Sequence, residues 1–364
     1  MSVTIYVDGR TAEHFTQYLD VLSQLGPIPD ESECSFEIWT GQPQNRATPR
    51  SVWLNPPTEA VRANWLRDGG AIITARIVPG GIEDRLLQGS TVVKVRSSAD
   101  APVDTPVLAA FLSHDFPLVD ALMLARTYRG VGWPNDLADY PVPVGKPASD
   151  MPFAPFHRNA GLYAVVPTSE WVNRLAEAGV PVLQLRDKHS HDAQRAIEIR
   201  KAIDAVGGSD TLLFINDDWQ LAIEHGAYGV HLGQEDIETA DLSAIQRAGL
   251  RLGISTHGIY EMLRAHACKP SYMALGAIFA TATKDMPTAP QGLRRLQHYV
   301  RLMSPHYPLV AIGGIDLSRI SCIWATGVDC AAVLRAIVDA LDYRKATADL
   351  LATMPKVICT SGAA

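Results

Sequence analysis

The sequence predicts an α/β protein, a (β/α)₈ TIM barrel preceded by a smaller mixed α/β module. Three observations predict it. At 364 residues the chain exceeds one small domain and suggests two, at ~150 residues each. Residues 134–159 carry six prolines and too little apolar periodicity for a helix or a central strand, which marks a boundary. Beyond residue 160, short apolar runs of strand length alternate regularly with polar turns and segments of helical spacing.

In chain order, residues 1–133 hold strand-like VTIYVDG, FEIWT, SVWLN, AIITARIV and TVVKV, with one amphipathic helix expected over TPVLAAFLSHDFPLVDALMLARTY. Residues 134–159 read as a Pro-rich linker. Residues 160–354 form the barrel and 355–364 a tail. The barrel strands are expected at Leu162–Val166, Val182–Leu185, Leu212–Ile215, Gly229–Leu232, Leu252–Ile254, Met273–Phe279, Leu309–Ile312 and Cys330–Leu334. Apolar strands alternating with helices imply a parallel sheet covered on both faces, and eight units in roughly 190 residues fit a compact barrel. An open doubly wound sheet is the alternative, since counting strands does not show closure. Ser169 and Glu170 precede the amphipathic WVNRLAEAG, which Gly179 stops, and Gly226 closes WQLAIEHG in the same way.

Composition narrows the function. Lys and Arg number 32 against 39 Asp and Glu, a net charge of −7 without long like-charge runs, so no surface for nucleic acid or anionic membrane is expected. No apolar run approaches the ~20 residues of a spanning helix, and the start MSVTIYVDGRTAEHF has neither a basic nor an apolar leader region, so a cytoplasmic protein is expected. The five cysteines are scattered and never in C-x-x-C spacing, which reads as reduced thiols rather than a disulfide framework or a thiolate metal site.

Barrel active sites lie at the carboxyl ends of the strands, so polar residues there call for a chemical reason. In VLQLRDK, Gln184, Arg186 and Lys188 share one parity, opposite Leu183 and Leu185. A solvated strand end would look similar. The next strands end in Asn216-Asp217 and, after His231, in Gln234-Glu235-Asp236. Asp217 and Asp236 stand 19 residues apart, close to one βα repeat, so adjacent loops could bring both carboxylates to one ion. Mg²⁺ suits one or two carboxylates completed by substrate phosphate oxygens and water. The competing reading is N-capping, because each aspartate precedes a helical segment. Later strand ends supply Ser255 and His257, then Thr281, Thr283 and Lys284, then Gly313-Gly314, a set suited to cradling an anion. His257 reads as a structural histidine, and His189 to His191 as surface. The inventory has cations, a carboxylate pair and no activated nucleophile, which matches departure of a diphosphate and not acyl transfer.

VLQLRDK, FINDDWQLAIEHGAYGVHLGQEDI, LGISTHG, ALGAIFATATK and VAIGGI, in this order across about 160–350, resemble the motifs of thiamine-phosphate synthase. The resemblance implies Mg²⁺-dependent joining of 4-amino-5-hydroxymethylpyrimidine diphosphate to 4-methyl-5-(2-phosphooxyethyl)thiazole, through a pyrimidine carbocation, giving thiamine phosphate and pyrophosphate. It implies that Asp217 and Asp236 hold Mg²⁺, that Arg186, Lys188, Asn216 and Lys284 grip the diphosphate, that Gln184 and Ser255 orient the pyrimidine, and that Thr281, Thr283 and Gly314 hold the thiazole phosphate. The partners implied are these small molecules, with assembly as a homo-oligomer left open. Two positions depart from the family: Ala280 replaces a common proline, and Arg335 stands where many members have serine. The helix region of the amino-terminal module resembles the closing helices of hydroxymethylpyrimidine-phosphate kinases. SSADAPVDTP lacks their glycine-rich anion hole, so a degenerate, non-catalytic fragment is expected. Two other readings are a thiazole tautomerase-like relative and a non-catalytic sensor of thiamine precursors.

Overall fold

A computed structural model describes residues 3–7, 10–11, 36–40, 47, 51–54, 59–98, 103–128, 134–145, 148–281 and 289–355. The chain divides into two compact units, Met1–Lys146 and Pro147–Ala364.

The first unit holds β1 (Val3–Val7), β2 (Arg10–Thr11), β3 (Phe36–Trp39), β4 (Ser51–Leu54), α1 (Glu59–Arg67), β5 (Ala71–Val78), β6 (Gly81–Gln88), β7 (Thr91–Ser97), α2 (Thr105–Ser113), α3 (Leu118–Thr127) and β8 (Val142–Pro143). Its mixed sheet runs in the order β2-β1-β3-β4-β5-β6-β7-β8. Strands β1, β3, β4 and β5 pair in parallel, while β5 to β8 pair antiparallel. Strand β6, GIEDRLLQ, is not among the strands expected from the sequence, and it carries charged residues. Those charges find partners only in the folded unit: Glu83 is met by Arg76, Arg85 and Arg96 from its own and the flanking strands, and buried Asp84 takes a two-point contact from buried Arg126 on α3, at 2.6 and 2.5 Å. The single amphipathic helix expected over 105–128 is two helices. Asp115 adopts a left-handed φ of 63° and Pro117 follows, so α3 starts afresh at Leu118.

The second unit continues with β9 (Gly161–Val166), α4 (Ser169–Glu177), β10 (Val182–Leu185), α5 (Asp192–Val206), β11 (Leu212–Asn216), α6 (Trp219–Glu224), β12 (Gly229–Leu232), α7 (Asp236–Thr239), α8 (Leu242–Arg247), β13 (Arg251–Thr256), α9 (Ile259–Ala267), β14 (Tyr272–Leu275), α10 (Gly292–Met303), β15 (Leu309–Ile312), α11 (Ile320–Trp324), β16 (Cys330–Val333), α12 (Arg335–Val338) and α13 (Tyr343–Ala352). Strands β9 to β16 form a closed parallel barrel, and the pairing of β16 with β9 disposes of the open-sheet alternative. The cap of α4 is Thr168, whose hydroxyl accepts from the Trp171 N–H, rather than Ser169 or Glu170. Strand β14 is shorter than the expected Met273–Phe279. After Leu275 the chain leaves the ladder and runs against the β15 end, with the Ile278 and Phe279 N–H groups donating to Ile312 and Gly313.

Inward-facing residues fill the barrel according to the two-residue strand period: Tyr163, Val165, Val182, Phe214, Tyr272, Ala274, Val310, Cys330 and Ala332 make one buried cluster. Gly253 makes room for the Tyr272 ring, because a Cβ there would lie 2.2 Å from it. The amino-terminal end is closed by residues 148–156. Phe156 packs against Phe214 and Tyr272 at ring separations of 5.6 and 5.0 Å, and the Ser271 hydroxyl donates to the Ala154 carbonyl. Residues 148–159, read as linker from the sequence, therefore pack with the barrel.

Helix α10 buries His298, and burial, with the Arg301 charge nearby, pulls its imidazole down to about 3. An unfolded histidine takes up a proton below about 6.5, whereas this one resists it. Its contribution is thus complete above that pH and declines as pH falls from 6.5 toward 3, by about 1.4 kcal/mol per pH unit. We expect urea midpoints to drop on acidification and the drop to be shallower in His298→Gln; equal slopes in the two proteins would contradict the assignment.

Candidate active site

The carboxyl ends of the barrel strands surround a cavity of about 780 Å³. Gln184, Arg186, Lys188, Asn216, Asp217, Asp236, Ser255, Thr281 and Gly314 all line it. Thr283 and Lys284 lie outside the described residues.

Strand period and loop hydrogen bonds position each group. Gln184 points inward from β10 and is buried, and its amide donates to the Tyr163 hydroxyl at 2.9 Å. Asp217 follows β11 in a left-handed conformation, φ 63°, fixed by donation from its N–H to the His231 carbonyl on β12. A non-glycine residue in that region carries a cost of about 1–2 kcal/mol, so the surrounding contacts must hold it. Its carboxylate takes Lys188 Nζ at 2.6 Å. Asp236 opens α7, and its carboxylate accepts the Gly233 N–H at 2.9 Å. Burial and the Asp217 carboxylate beside it push the Asp236 carboxyl above its ordinary range. Capping does not account for Asp217: Asp218 occupies that position of α6 without a capping bond and pairs instead with Arg195.

At the other side of the mouth Gly313 and Gly314 have φ values of 104° and 62°. A Cβ on Gly314 would sit 2.6 Å from the Ala280 carbonyl oxygen, so the two loops meet backbone to backbone. His257 is held by Glu261, which takes its Nδ1 at 2.7 Å and its backbone N–H at 2.8 Å.

The cavity floor contains residues the sequence reading did not single out. Ser255 Oγ lies 2.7 Å from His231 Nε2, His231 Nδ1 2.7 Å from the Tyr272 hydroxyl, and Tyr272 2.8 Å from the Tyr163 hydroxyl, which receives the Gln184 amide. Burial pushes both phenols well above their ordinary range, so both keep their protons. Each phenol has one proton to give. The amide donates to Tyr163, and the direction of the remaining bonds follows the His231 tautomer: with the proton on Nε2 the Ser255 O–H is free to donate into the cavity, and with it on Nδ1 Ser255 donates to Nε2. The available signal was parity: Tyr163 and Tyr272 are inward polar groups in otherwise apolar strands.

Two adjacent half-buried carboxylates beside a lysine offer oxygen ligands of the kind a hard divalent cation takes, and among the described residues no group of three or more His, Cys, Asp or Glu side chains is arranged to hold a metal unaided. Such a pair fits Mg²⁺, whose remaining ligands come from substrate and water. Together, fold and mouth define a barrel enzyme for phosphorylated small molecules. The family model described as thiamine monophosphate synthase matches residues 162–337. The thiamine-phosphate synthases of Serratia proteamaculans and Pectobacterium atrosepticum are 56% and 52% identical to this chain over 200 residues, 55% of it and 94% of each relative. A thiamine phosphate pyrophosphorylase structure from Pyrococcus furiosus is 29% identical and covers 54% of this chain and 96% of its own, with a TM-score of 0.49. The chain belongs to the thiamine-phosphate synthase family. Nothing in these comparisons supports the tautomerase or sensor readings.

The like-charged pair works against the fold. We expect Asp236→Asn, which keeps an acceptor for the Gly233 N–H, to stabilise the metal-free protein by about 1 kcal/mol, raising Tm by a few degrees. A clearly lower Tm would show that the two carboxylates do not repel.

Proposed function

We propose that the barrel condenses 4-amino-5-hydroxymethylpyrimidine diphosphate with 4-methyl-5-(2-phosphooxyethyl)thiazole, releasing pyrophosphate and forming thiamine phosphate. The observation that carries this reading is the convergence of side chains from four successive strand ends, β10 to β13, on one cavity within the matched region. Asp217 and Asp236 would hold Mg²⁺, which when bound neutralises charge on the diphosphate. Arg186, Lys188 and Asn216, joined by Lys284, grip the same group. The positive charge of Arg186, Lys188 and Lys284 stabilises the leaving pyrophosphate as the exocyclic C–O bond breaks and its electrons move to oxygen. The pyrimidine keeps the resulting methylene cation until the thiazole nitrogen supplies the electron pair for the new C–N bond.

Gln184 and the Ser255 hydroxyl orient the pyrimidine at the cavity floor, with Tyr163, Tyr272 and His231 holding them in place. Gly314, Thr281 and Thr283 receive the thiazole phosphate. Support for placing the reaction in the barrel alone is that 200 residues of this chain account for 94% of the length of each relative, which leaves the first 133 residues without a catalytic part. No described helix is long and apolar enough to cross a membrane, and the proposed setting is the cytoplasm.

Mixing both phosphorylated precursors with Mg²⁺ is expected to release pyrophosphate and yield a product that oxidises to a thiochrome, with the full chain and with residues 147–364. Asp217→Asn is expected to remove Mg²⁺-dependent turnover while the circular dichroism of the fold is kept. A wild-type protein that makes no thiamine phosphate, or an Asp217→Asn enzyme of unchanged rate, would contradict the proposal.

A further inference from the structure

Two consecutive residues of β6 have their charge met in opposite ways. Asp84 is buried and matched one to one by buried Arg126. Glu83 points to the other face of the sheet, where the register sets Arg76 and Arg96 on either side of it and, one row away, Arg85 opposite Lys94. Its carboxylate accepts from Arg76 Nη2 at 2.8 Å and Nε at 3.0 Å, from Arg85 Nε at 3.3 Å and from Arg96 Nη2 at 3.2 Å. The Glu83 side chain is 3% exposed, whereas those of Arg76, Arg85 and Arg96 are 58%, 40% and 50% exposed. Burial works against the ionised carboxyl, yet the three guanidiniums together hold it below its ordinary range. Among the described residues of β5 to β8, Glu83 is the single acid on this face. Four cations thus stand against one carboxylate, a net charge of +3 in a chain of −7.

Satisfying Glu83 accounts for where the guanidiniums point but not for the number of cations. A carboxylate offers about four acceptor sites, and the four N–H contacts from the arginines already fill them. Lys94 has no carboxylate partner among the described residues. It stands directly opposite Arg85, and like charges in that relation destabilise a strand pair. The sheet therefore keeps a repulsion at its surface that an incoming anion would relieve. Each arginine spends at most two of its five N–H donors on Glu83. Glu83 also pins the three side chains, so little further rotamer freedom is lost when an anion meets them.

Exposed valines border the cations. Val142 pairs with Arg96, the Val144 N–H donates to the Lys94 carbonyl, and Val92 precedes Lys94 on the same face. An open sheet face gives no enclosure for a small metabolite. Strands β5 to β8 carry no aromatic ring on which a nucleic-acid base could stack. The valines gain nothing from a phosphate backbone, whereas aliphatic side chains of a protein would cover them. We propose that this face of the amino-terminal unit is a docking surface for an acidic segment of a partner protein. Carboxylates of that segment meet Arg76, Arg85, Lys94 and Arg96, and its aliphatic side chains cover the valines. Such a surface gives the amino-terminal unit a role separate from the chemistry of the barrel.

The probe is a labelled peptide with a central run of glutamates flanked by valines, titrated with the full chain at low ionic strength and followed by fluorescence anisotropy. Its glutamine counterpart, polyuridylate and phosphatidylserine vesicles are measured beside it. We expect the acidic peptide to bind, the glutamine peptide to bind about tenfold more weakly or worse, and added salt to weaken the acidic peptide. Lys94→Gln, which breaks no ion pair among the described residues, should weaken binding about threefold. Arg85→Gln with Lys94→Gln, which leaves Arg76 and Arg96 on Glu83, should weaken it about tenfold, with circular dichroism kept and Tm not lowered. Val142→Ser should weaken the peptide without altering its salt dependence. A wild-type chain that ignores the acidic peptide would overturn the proposal, as would unchanged affinity in the double variant or equal binding of the glutamine peptide. Tighter binding of polyuridylate or of the vesicles than of the peptide, lost in the double variant, would also overturn it by assigning the face to nucleic acid or to membrane.

Discussion

Two carboxylates at the ends of neighbouring strands are brought together against their mutual repulsion, and the rest of the site is arranged around that conflict. Asp217 is held in a left-handed backbone conformation by its N–H bond to the His231 carbonyl, and Asp236 is turned inward by the Gly233 N–H. Lys188 offsets one negative charge at 2.6 Å, which leaves the pair still in demand of a cation. A closed barrel suits this purpose because the β11–β12 ladder fixes where both loops start: Asn216 pairs with His231 at its last register position. The strand ladders are rigid, so the repulsion cannot relax by spreading the loops.

The same rigidity serves the cavity floor. The line of hydrogen bonds from Gln184 through two phenols and an imidazole to Ser255 crosses the barrel interior, where apolar packing against Phe214 and Phe156 keeps water away. Each buried polar atom in it is satisfied by the next, which is what permits so many hydroxyls below the cavity. The floor is thereby one connected line of hydrogen bonds beneath a mouth lined by charged side chains.

Much of this was legible in the sequence, for a physical reason. Strand period places Gln184, Arg186 and Lys188 on one face, and one βα repeat separates Asp217 from Asp236, so local spacing alone predicts a shared mouth. Eight short apolar runs likewise predict eight parallel strands, whereas closure shows only in the pairing of β16 with β9. What was not legible depends on residues distant in sequence. Tyr163 and Tyr272 meet across 109 residues, and neither strand signals the meeting by itself. Strand β6 reads as too charged until Arg126, 42 residues later, arrives at Asp84. The break between α2 and α3 was hidden because the apolar stripe continues through Pro117, and the packing of residues 148–159 was hidden because prolines conceal the buried Phe153 and Phe156. The amino-terminal sheet is well formed, yet its α2 begins with Asp104, whose carboxylate accepts the Val107 N–H, so an acid already occupies that helix start.

The central claim is that Asp217 and Asp236 together, with a substrate diphosphate, make one divalent-cation site. Mn²⁺ in place of Mg²⁺ allows this to be seen directly by electron-nuclear double resonance on the full chain with pyrophosphate added. The account predicts a bound ion with phosphorus hyperfine coupling from pyrophosphate, abolished when both aspartates are changed to asparagine. A spectrum of free hydrated Mn²⁺ in the presence of the wild-type protein and pyrophosphate, or an unaltered protein-bound signal in the double variant, would contradict it.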